Sequence, residues 1–259
     1  MYDCHVHTNF STDATMDIED AIRVSRKLGL GLIITDHMDY KHHIPNEFIF
    51  DPDEYFKEYE IYRSDELLLG VEIGFRDDSL DEIRKLKDNY PFDFIIGAIH
   101  VVNGMDIYYK DYYEGKSKEQ AYEEYLKNML LLVKHHDFYD SLAHMDYITR
   151  YSVYEDKGLY YAEFPDLIDE ILRELSGADK AIEINTRWIH DRDTANNFIE
   201  ILKRFKELGG KYITIGSDAH RPEDIGVNFK RAREIVHICN LKSVYYKGRR
   251  PCYVKQSLV

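Results

Sequence analysis

Apolar positions along the chain switch repeatedly between short continuous runs, which read as buried strands, and a helical repeat. An extended stretch opens the chain. A helix is expected over residues 16–28, with Ile18, Ala21, Ile22 and Leu28 on its apolar face, Thr15 placed to cap it and Gly29 to stop it. Strand and helix then alternate. Residues 30–35 read as a strand ending at Asp36 and His37, and Asp51-Pro52 opens a helix carrying Tyr55, Phe56, Tyr59 and Tyr62 on one side. A strand over 67–71 ends at Glu72, and Ser79 to Glu82 has the capping-box pattern for a helix to 88. A strand over 92–99 ends at His100, and a second capping box, Ser117 to Gln120, starts a long helix to 133.

The alternation continues to the end. A weaker strand over 139–143 leads to His144 and a helix over 165–175. A strand over 181–184 is followed by Asn185 and Arg187, then by a helix over 193–208 that stops at Gly209-Gly210. Residues 212–216 form the next strand and end in Ser217-Asp218-Ala219-His220; a last helix covers 230–238, and the tail can add an edge segment. Seven strand–helix units in series predict an α/β chain with a parallel barrel, read as one domain over 1–259. Three strand-to-helix loops are long, at 36–50, 101–116 and 145–164, and loops on that face of a barrel shape the substrate pocket.

The strand ends carry the chemistry. His5 and His7 leave the same face of the first strand, and alone the pair reads equally well as surface histidines. Similar groups recur at later strand ends: His37, Glu72, His100, His144, Asp218 and His220, with Asp13 on the first loop. Six of the chain's twelve histidines are in this set. Active sites of β/α barrels gather on this face. Imidazole and carboxylate together suit zinc, manganese or iron, and nine groups exceed what one ion can use, so two or three divalent ions are implied, with Glu72 able to bridge. Asp36 is a candidate support for these groups, though a loop anchor fits as well. His42 and His43 lie in the next long loop; His135 and His136 suit a helix C-terminus, and His190 and His237 are read as ordinary histidines.

Composition narrows the partners. At 44% apolar over 259 residues the chain can bury a large core, and no apolar run is long enough to span a membrane. Cys4, Cys239 and Cys252 are too scattered for a metal cage and read as free thiols, and the first residues lack a signal-peptide pattern, so a cytoplasmic location is expected. A net charge of −14 argues against broad nucleic-acid binding. It also sits badly with an anionic substrate, unless bound divalent ions reverse the local field.

The motifs Asp3-Cys-His-Val-His7, Thr35-Asp-His37, Gly70-Val-Glu72, Gly97-Ala-Ile-His100, Ala143-His144 and Gly216-Ser-Asp-Ala-His220 resemble those of the polymerase-and-histidinol-phosphatase (PHP) superfamily, from residue 3 to 220. The resemblance implies a distorted seven-stranded, TIM-like (β/α)7 barrel with a trinuclear metal site. One ion would take His5, His7, Glu72 and Asp218, a second Glu72, His100 and His144, and a third Asp13, His37 and His220. Within the superfamily, length and residues 92–125 look most like the monofunctional histidinol-phosphate phosphatases of histidine biosynthesis. Arg150 and Arg187 match arginines which those enzymes use for the substrate phosphate, and guanidinium suits that task.

The expected reaction is hydrolysis of a small phosphomonoester, L-histidinol phosphate, by a metal-bridging hydroxide. Asp218, His220 and Glu72 are the expected catalytic side chains. No activated serine or cysteine nucleophile is evident. Other readings are a PHP phosphoesterase acting on a nucleotide, oligonucleotide or phosphotyrosine, an amidohydrolase-like metal hydrolase, and a metal-binding domain without turnover. The sequence does not fix the oligomeric state.

Overall fold

The strands read from the sequence wrap into a distorted β/α barrel. The computed structural model describes residues 1–189 and 192–254, so His190 lies outside the described residues. The strands are β1 (Tyr2–Val6), β2 (Gly31–Ile34), β3 (His37–Met38), β4 (Leu67–Gly74), β5 (Phe94–Ala98), β6 (Val101–Val102), β7 (Met105–Asp106), β8 (Ser141–Leu142), β9 (Ala181–Asn185), β10 (Tyr212–Gly216), β11 (Lys242–Lys247) and β12 (Arg250–Tyr253). The helices are α1 (Ile18–Leu28), α2 (Pro52–Tyr59), α3 (Leu80–Asn89), α4 (Lys118–His135), α5 (Ile148–Tyr151), α6 (Pro165–Gly177), α7 (Arg192–Glu207) and α8 (Phe229–Ile238).

Neighbours run parallel in the order β1, β2, β4, β5, β8, β9, β10. At the C-terminal end of the strands the ring joins through a parallel bridge between Val6 and Ala219. Two backbone hydrogen bonds flank it, Asp218 N–H to His5 C=O at 2.8 Å and His7 N–H to Ala219 C=O at 2.9 Å. At the opposite end β10 pairs instead with β11, which forms an antiparallel hairpin with β12. That hairpin is more than the edge segment expected of the tail. Val244 and Tyr246 enter the barrel's inner apolar cluster, and the Tyr246 ring stacks on Phe94 at 5.3 Å.

Two apolar layers follow from strand alternation. Cys4, Ile33, Leu68, Phe94, Ile96 and Ala181 fill the barrel, while Val6, Leu32, Leu69, Val71 and Ile95 face the surrounding helices. The inward positions change character along each strand, from Leu68 through Gly70 to Glu72 and from Ala181 to Glu183 and Asn185. The barrel is thus apolar at its floor and polar at its mouth. β1 breaks strict alternation: Asp3 opposes Leu32 but Val6 opposes Ile34, one extra residue on β1. This irregularity lets Cys4 point into the inner cluster while His5 also turns inward, and bulges commonly re-aim side chains beside active sites.

Helix starts were partly misread. Asp51 caps α2 through Asp53 N–H and Glu54 N–H, and Ser117 and Gln120 form the full capping box of α4. Ser79 makes no cap bond, because its hydroxyl donates to Arg76 C=O at 3.2 Å. α1 begins at Ile18 with Asp17, not Thr15, at its N-cap, because Met16 is buried and its carbonyl accepts Asn9 N–H at 3.0 Å. Among the described residues no helix is long and apolar enough to cross a membrane. The three cysteines are free.

Candidate metal centre

All nine groups singled out at the strand ends and first loop meet at the barrel mouth. Glu72, an inward position near the C-terminal end of β4, is fully buried at the middle of the set. Its Oε1 lies 3.4 Å from His5 Nε2, 3.5 Å from His100 Nε2 and 2.9 Å from His144 Nε2; its Oε2 lies 3.6 Å from His7 Nε2 and 2.8 Å from His37 Nδ1. Asp218 Oδ1 lies 3.4 Å from His7 Nε2 and 3.9 Å from His5 Nε2. Asp13, the most exposed of the nine, reaches His37 Nε2 at 3.6 Å and His220 Nε2 at 3.1 Å. Asp218 has a left-handed backbone, φ 56°, a conformation that Asp tolerates and that is concentrated at functional sites.

The histidines are held with one nitrogen facing inward. His5 Nδ1–H donates to Glu183 Oε1 at 2.7 Å and His100 Nδ1–H to Asp39 Oδ2 at 2.7 Å. His7 Nδ1–H donates to Ser11 Oγ at 3.0 Å, whose own hydroxyl donates to Asp36 Oδ1 at 2.6 Å. His220 Nδ1–H donates to the Asp218 carbonyl at 2.9 Å. When neutral, each of these four rings presents its Nε2 lone pair to the centre, the arrangement by which outer partners fix a metal-ligating tautomer.

Charge in the cluster is unbalanced. Burial alone would raise the Glu72 carboxyl, but His5, His37 and His100 hold it well below its usual range. Burial likewise opposes ionisation of Asp218, and His5 and Arg150 outweigh it. His7 is pushed well below the usual imidazole value by burial and by His220 and His37, so it stays neutral. His5 Nε2 and His7 Nε2 are buried and have no hydrogen-bond partner, and His37 Nδ1 and Glu72 Oε2 have none besides their own 2.8 Å approach. Buried polar atoms without partners are costly. Ionised carboxylates beside unpartnered imidazole nitrogens are the complement of a divalent cation, and the donor set of His, Asp and Glu fits zinc, manganese or iron. Ligand-capable atoms within 4.8 Å of one another occur in His5, His7 and Asp218, in His5, Glu72 and His144, and in His7, His37 and His220.

A model of the PHP domain matches residues 3–187. The chain belongs to the PHP family. It is 45% identical over 249 residues to a probable histidinol-phosphatase of Clostridium acetobutylicum, covering 96% of this chain and 98% of that protein. It is 34% identical over 242 residues to the histidinol-phosphatase of Lactococcus lactis, covering 90% of this chain and 89% of that protein. A crystal structure of histidinol phosphate phosphatase from Lactococcus lactis, complexed with zinc, L-histidinol and phosphate, superposes with a TM-score of 0.91 at 32% identity, over 97% of this chain and 98% of that one.

Two arginines stand beside the PHP centre. Arg150 is on α5, just beyond His144; its side chain is buried, donates from Nη1 to Asp218 Oδ2 at 2.7 Å and leaves Nη2 without an acceptor. Arg187, partly exposed, donates from Nη1 to the Asp218 carbonyl at 3.4 Å. Other sequence candidates fall elsewhere. His42 Nε2 is 3.6 Å from Asp106 Oδ2 and forms, with His43 and Asp106, a group outside the nine. His135 Nδ1 meets Asp77 at 2.9 Å on the surface, and His237 is exposed. His136 is buried, stacked on Phe75 at 4.7 Å, so packing rather than a helix-end charge explains it.

Glu183, Asp39 and Ser11 were missed in the sequence. Glu183 also accepts His144 N–H at 2.8 Å and Asn185 Nδ2–H at 3.3 Å. Its trace was legible: a carboxylate inside the apolar run Ala181–Asn185 has to face something that pays for it. Asp36, considered as a support, does serve one, accepting from Thr8 N–H, Thr8 Oγ1–H and Ser11 Oγ–H and so steadying the residue that holds His7.

Proposed function

We propose that this chain hydrolyses L-histidinol phosphate to L-histidinol and inorganic phosphate, using divalent metal ions held at the barrel mouth. The whole of 1–259 acts as one domain in this reading. His5, His7, Glu72 and Asp218 would hold one ion, Glu72, His100 and His144 a second, and Asp13, His37 and His220 a third. The ions are zinc, manganese or iron. When bound, they supply Lewis acidity that neutralises phosphoryl oxygens and makes a water nucleophilic near neutral pH.

The chain's own groups do the rest. Arg150 offers its unpartnered Nη2, and Arg187 its partly exposed guanidinium, to the phosphate, holding phosphorus over the centre as charge moves to the leaving oxygen. Asp218 and His220 are the members of the ligand set that contact the arginines, and they are the groups assigned to proton transfer toward the departing alkoxide. Glu72 keeps the two deepest sites in register.

The observation that carries this reading is the convergence of nine ligand-type side chains at one barrel mouth and of two arginines on Asp218, in a chain of net charge −14. Free thiols and the lack of a membrane-spanning helix among the described residues support a cytoplasmic enzyme. Phosphate release from a panel of phosphomonoesters, with metal-loaded and chelated protein, tests it. Turnover of histidinol phosphate at a kcat/KM of about 10⁴ M⁻¹s⁻¹ or more, lost on chelation, is expected. A nucleotide or phosphotyrosine substrate hydrolysed more efficiently would overturn the assigned substrate.

A further inference from the structure

Arg150 has a second face. Beside its guanidinium lies a cavity of about 220 Å³, bounded by Asp146, Lys157, Leu159, Trp188 and Phe198 as well as Arg150 itself. None of the nine candidate metal ligands lines it. It is smaller than the roughly 300–1,000 Å³ of drug-sized pockets, a size that suits a metabolite such as an amino acid.

Its chemistry is specific. The Asp146 carboxylate is only partly exposed, is hydrogen-bonded by its own backbone N–H and has Arg150 as its main compensating charge; no side chain donates to it among the described residues. Arg150 Nη2 is buried and has no acceptor. A cavity lined by a carboxylate and by a guanidinium N–H that has no acceptor complements a ligand carrying both an ammonium and a carboxylate. Lys157, exposed at the rim, adds a second cation. Leu159 and Phe198 are buried, and the Trp188 ring lies 5.8 Å from the Arg150 guanidinium carbon. These groups form an apolar and aromatic wall beside the charged pair.

We propose that this cavity binds a free α-amino acid with an aromatic or large apolar side chain, and that its occupant controls Arg150. The ammonium is met by Asp146, the carboxylate by Arg150 Nη2 and Lys157, and the side chain by Trp188, Phe198 and Leu159. An occupant that engages Arg150 Nη2 competes with the phosphate for the same guanidinium and weakens substrate binding. That inhibitory consequence rests on the phosphatase reading of Arg150; binding in the cavity does not.

Trp188 is the single tryptophan of the chain, so its fluorescence reports on the cavity directly. Metal-loaded protein is titrated with each of the twenty L-amino acids in the absence of any phosphate ester. The expected result is a saturable fluorescence change with one or more aromatic or large apolar amino acids, at least ten-fold weaker in Asp146→Asn and in Lys157→Met, and weaker for the corresponding amine lacking the carboxylate. Two variants on different segments guard against a folding defect in one. In steady-state assays the same amino acid raises KM, and Asp146→Asn abolishes that effect. Absence of any saturable change up to on the order of 10 mM overturns the proposal, as does unchanged affinity in both variants. Displacement of the amino acid by L-histidinol also overturns it, since the cavity would then be part of the substrate site. If no phosphate ester is hydrolysed but the titration saturates, the phosphatase reading fails and the binding site stands.

Discussion

The His5 imidazole and the Glu183 carboxylate are joined through Nδ1–H to Oε1 at 2.7 Å, and neither side chain is exposed to solvent. His5 sits on the first strand of the ring and Glu183 on the sixth. The bond therefore fixes the ring orientation of a candidate ligand from two strands away in the ring, and the same carboxylate pins the backbone of His144.

Glu183→Gln keeps the shape of the side chain but removes its charge. An amide can still accept from His5 through its oxygen, yet it leaves the imidazole a poorer donor of electron density. Loss of such an outer partner costs metal affinity by about 10–100-fold. The expected outcome is weaker retention of metal during dialysis, and activity that returns when excess metal is added. Activity that stays low at saturating metal would assign Glu183 a role beyond orienting His5.

Gly216 shows why a small residue is needed behind that pair. A Cβ built there would lie 2.3 Å from His5 Cβ and 2.4 Å from Glu183 Oε1. Gly216→Ala therefore has to push both partners apart, at a cost of about 1–3 kcal/mol in overpacking. Chemical denaturation should show that loss of stability, together with weakened metal retention like that of Glu183→Gln. Normal metal content in a destabilised Gly216→Ala protein would show that the strain is absorbed elsewhere.

What could be read in the sequence followed from periodicity. Apolar runs end at Glu72, His100 and His144, so a parallel barrel puts these groups at one mouth, and the structure does so. Glu183 and Asp39 were not read because their role depends on which strand faces which. Parity along β9 places Glu183 with Ala181 and Asn185, but only the assembled ring brings it to His5. Asp39 needs Gly74, whose missing side chain leaves room for the carboxylate. The extra residue in β1 is a property of pairing and leaves no mark in composition. Ser79 failed as a cap because a nearby carbonyl competed for its hydroxyl.

Removal of metal should be felt by the fold as well as by activity. Without cations, the barrel mouth buries ionised Glu72 and Asp218 beside the His5 and His7 Nε2 atoms, which lack partners. An ion that binds only the folded chain stabilises it by RT ln(1 + [L]/Kd), about 4 kcal/mol at a thousand-fold excess over Kd. Thermal melting should thus rise with added metal and fall with chelator, and metal analysis should give three equivalents per chain at saturation. Identical melting with and without metal would argue against tight sites at the barrel mouth.

His136 lies away from the metal centre and should govern the acid limb of stability. Its ring is 2% exposed, stacks parallel on Phe75 and has no hydrogen-bond partner at either nitrogen. Burial lowers its pKa from 6.5 to about 4, with Asp77 opposing only partly. Protonation therefore favours the unfolded chain. The stabilisation is fully present above the unfolded value, erodes as pH falls from about 6.5, and is lost near the folded value of about 4. Between pH of about 7.5 and 5 this amounts to roughly 2 kcal/mol. His136→Phe keeps the stack on Phe75 and cannot be protonated, so its urea midpoint should fall less than that of the parent protein over this interval. Acid loss of metal affects both proteins and cancels in the comparison. Parallel pH profiles for the two would show that the His136 ring is solvated in solution and carries no linked proton.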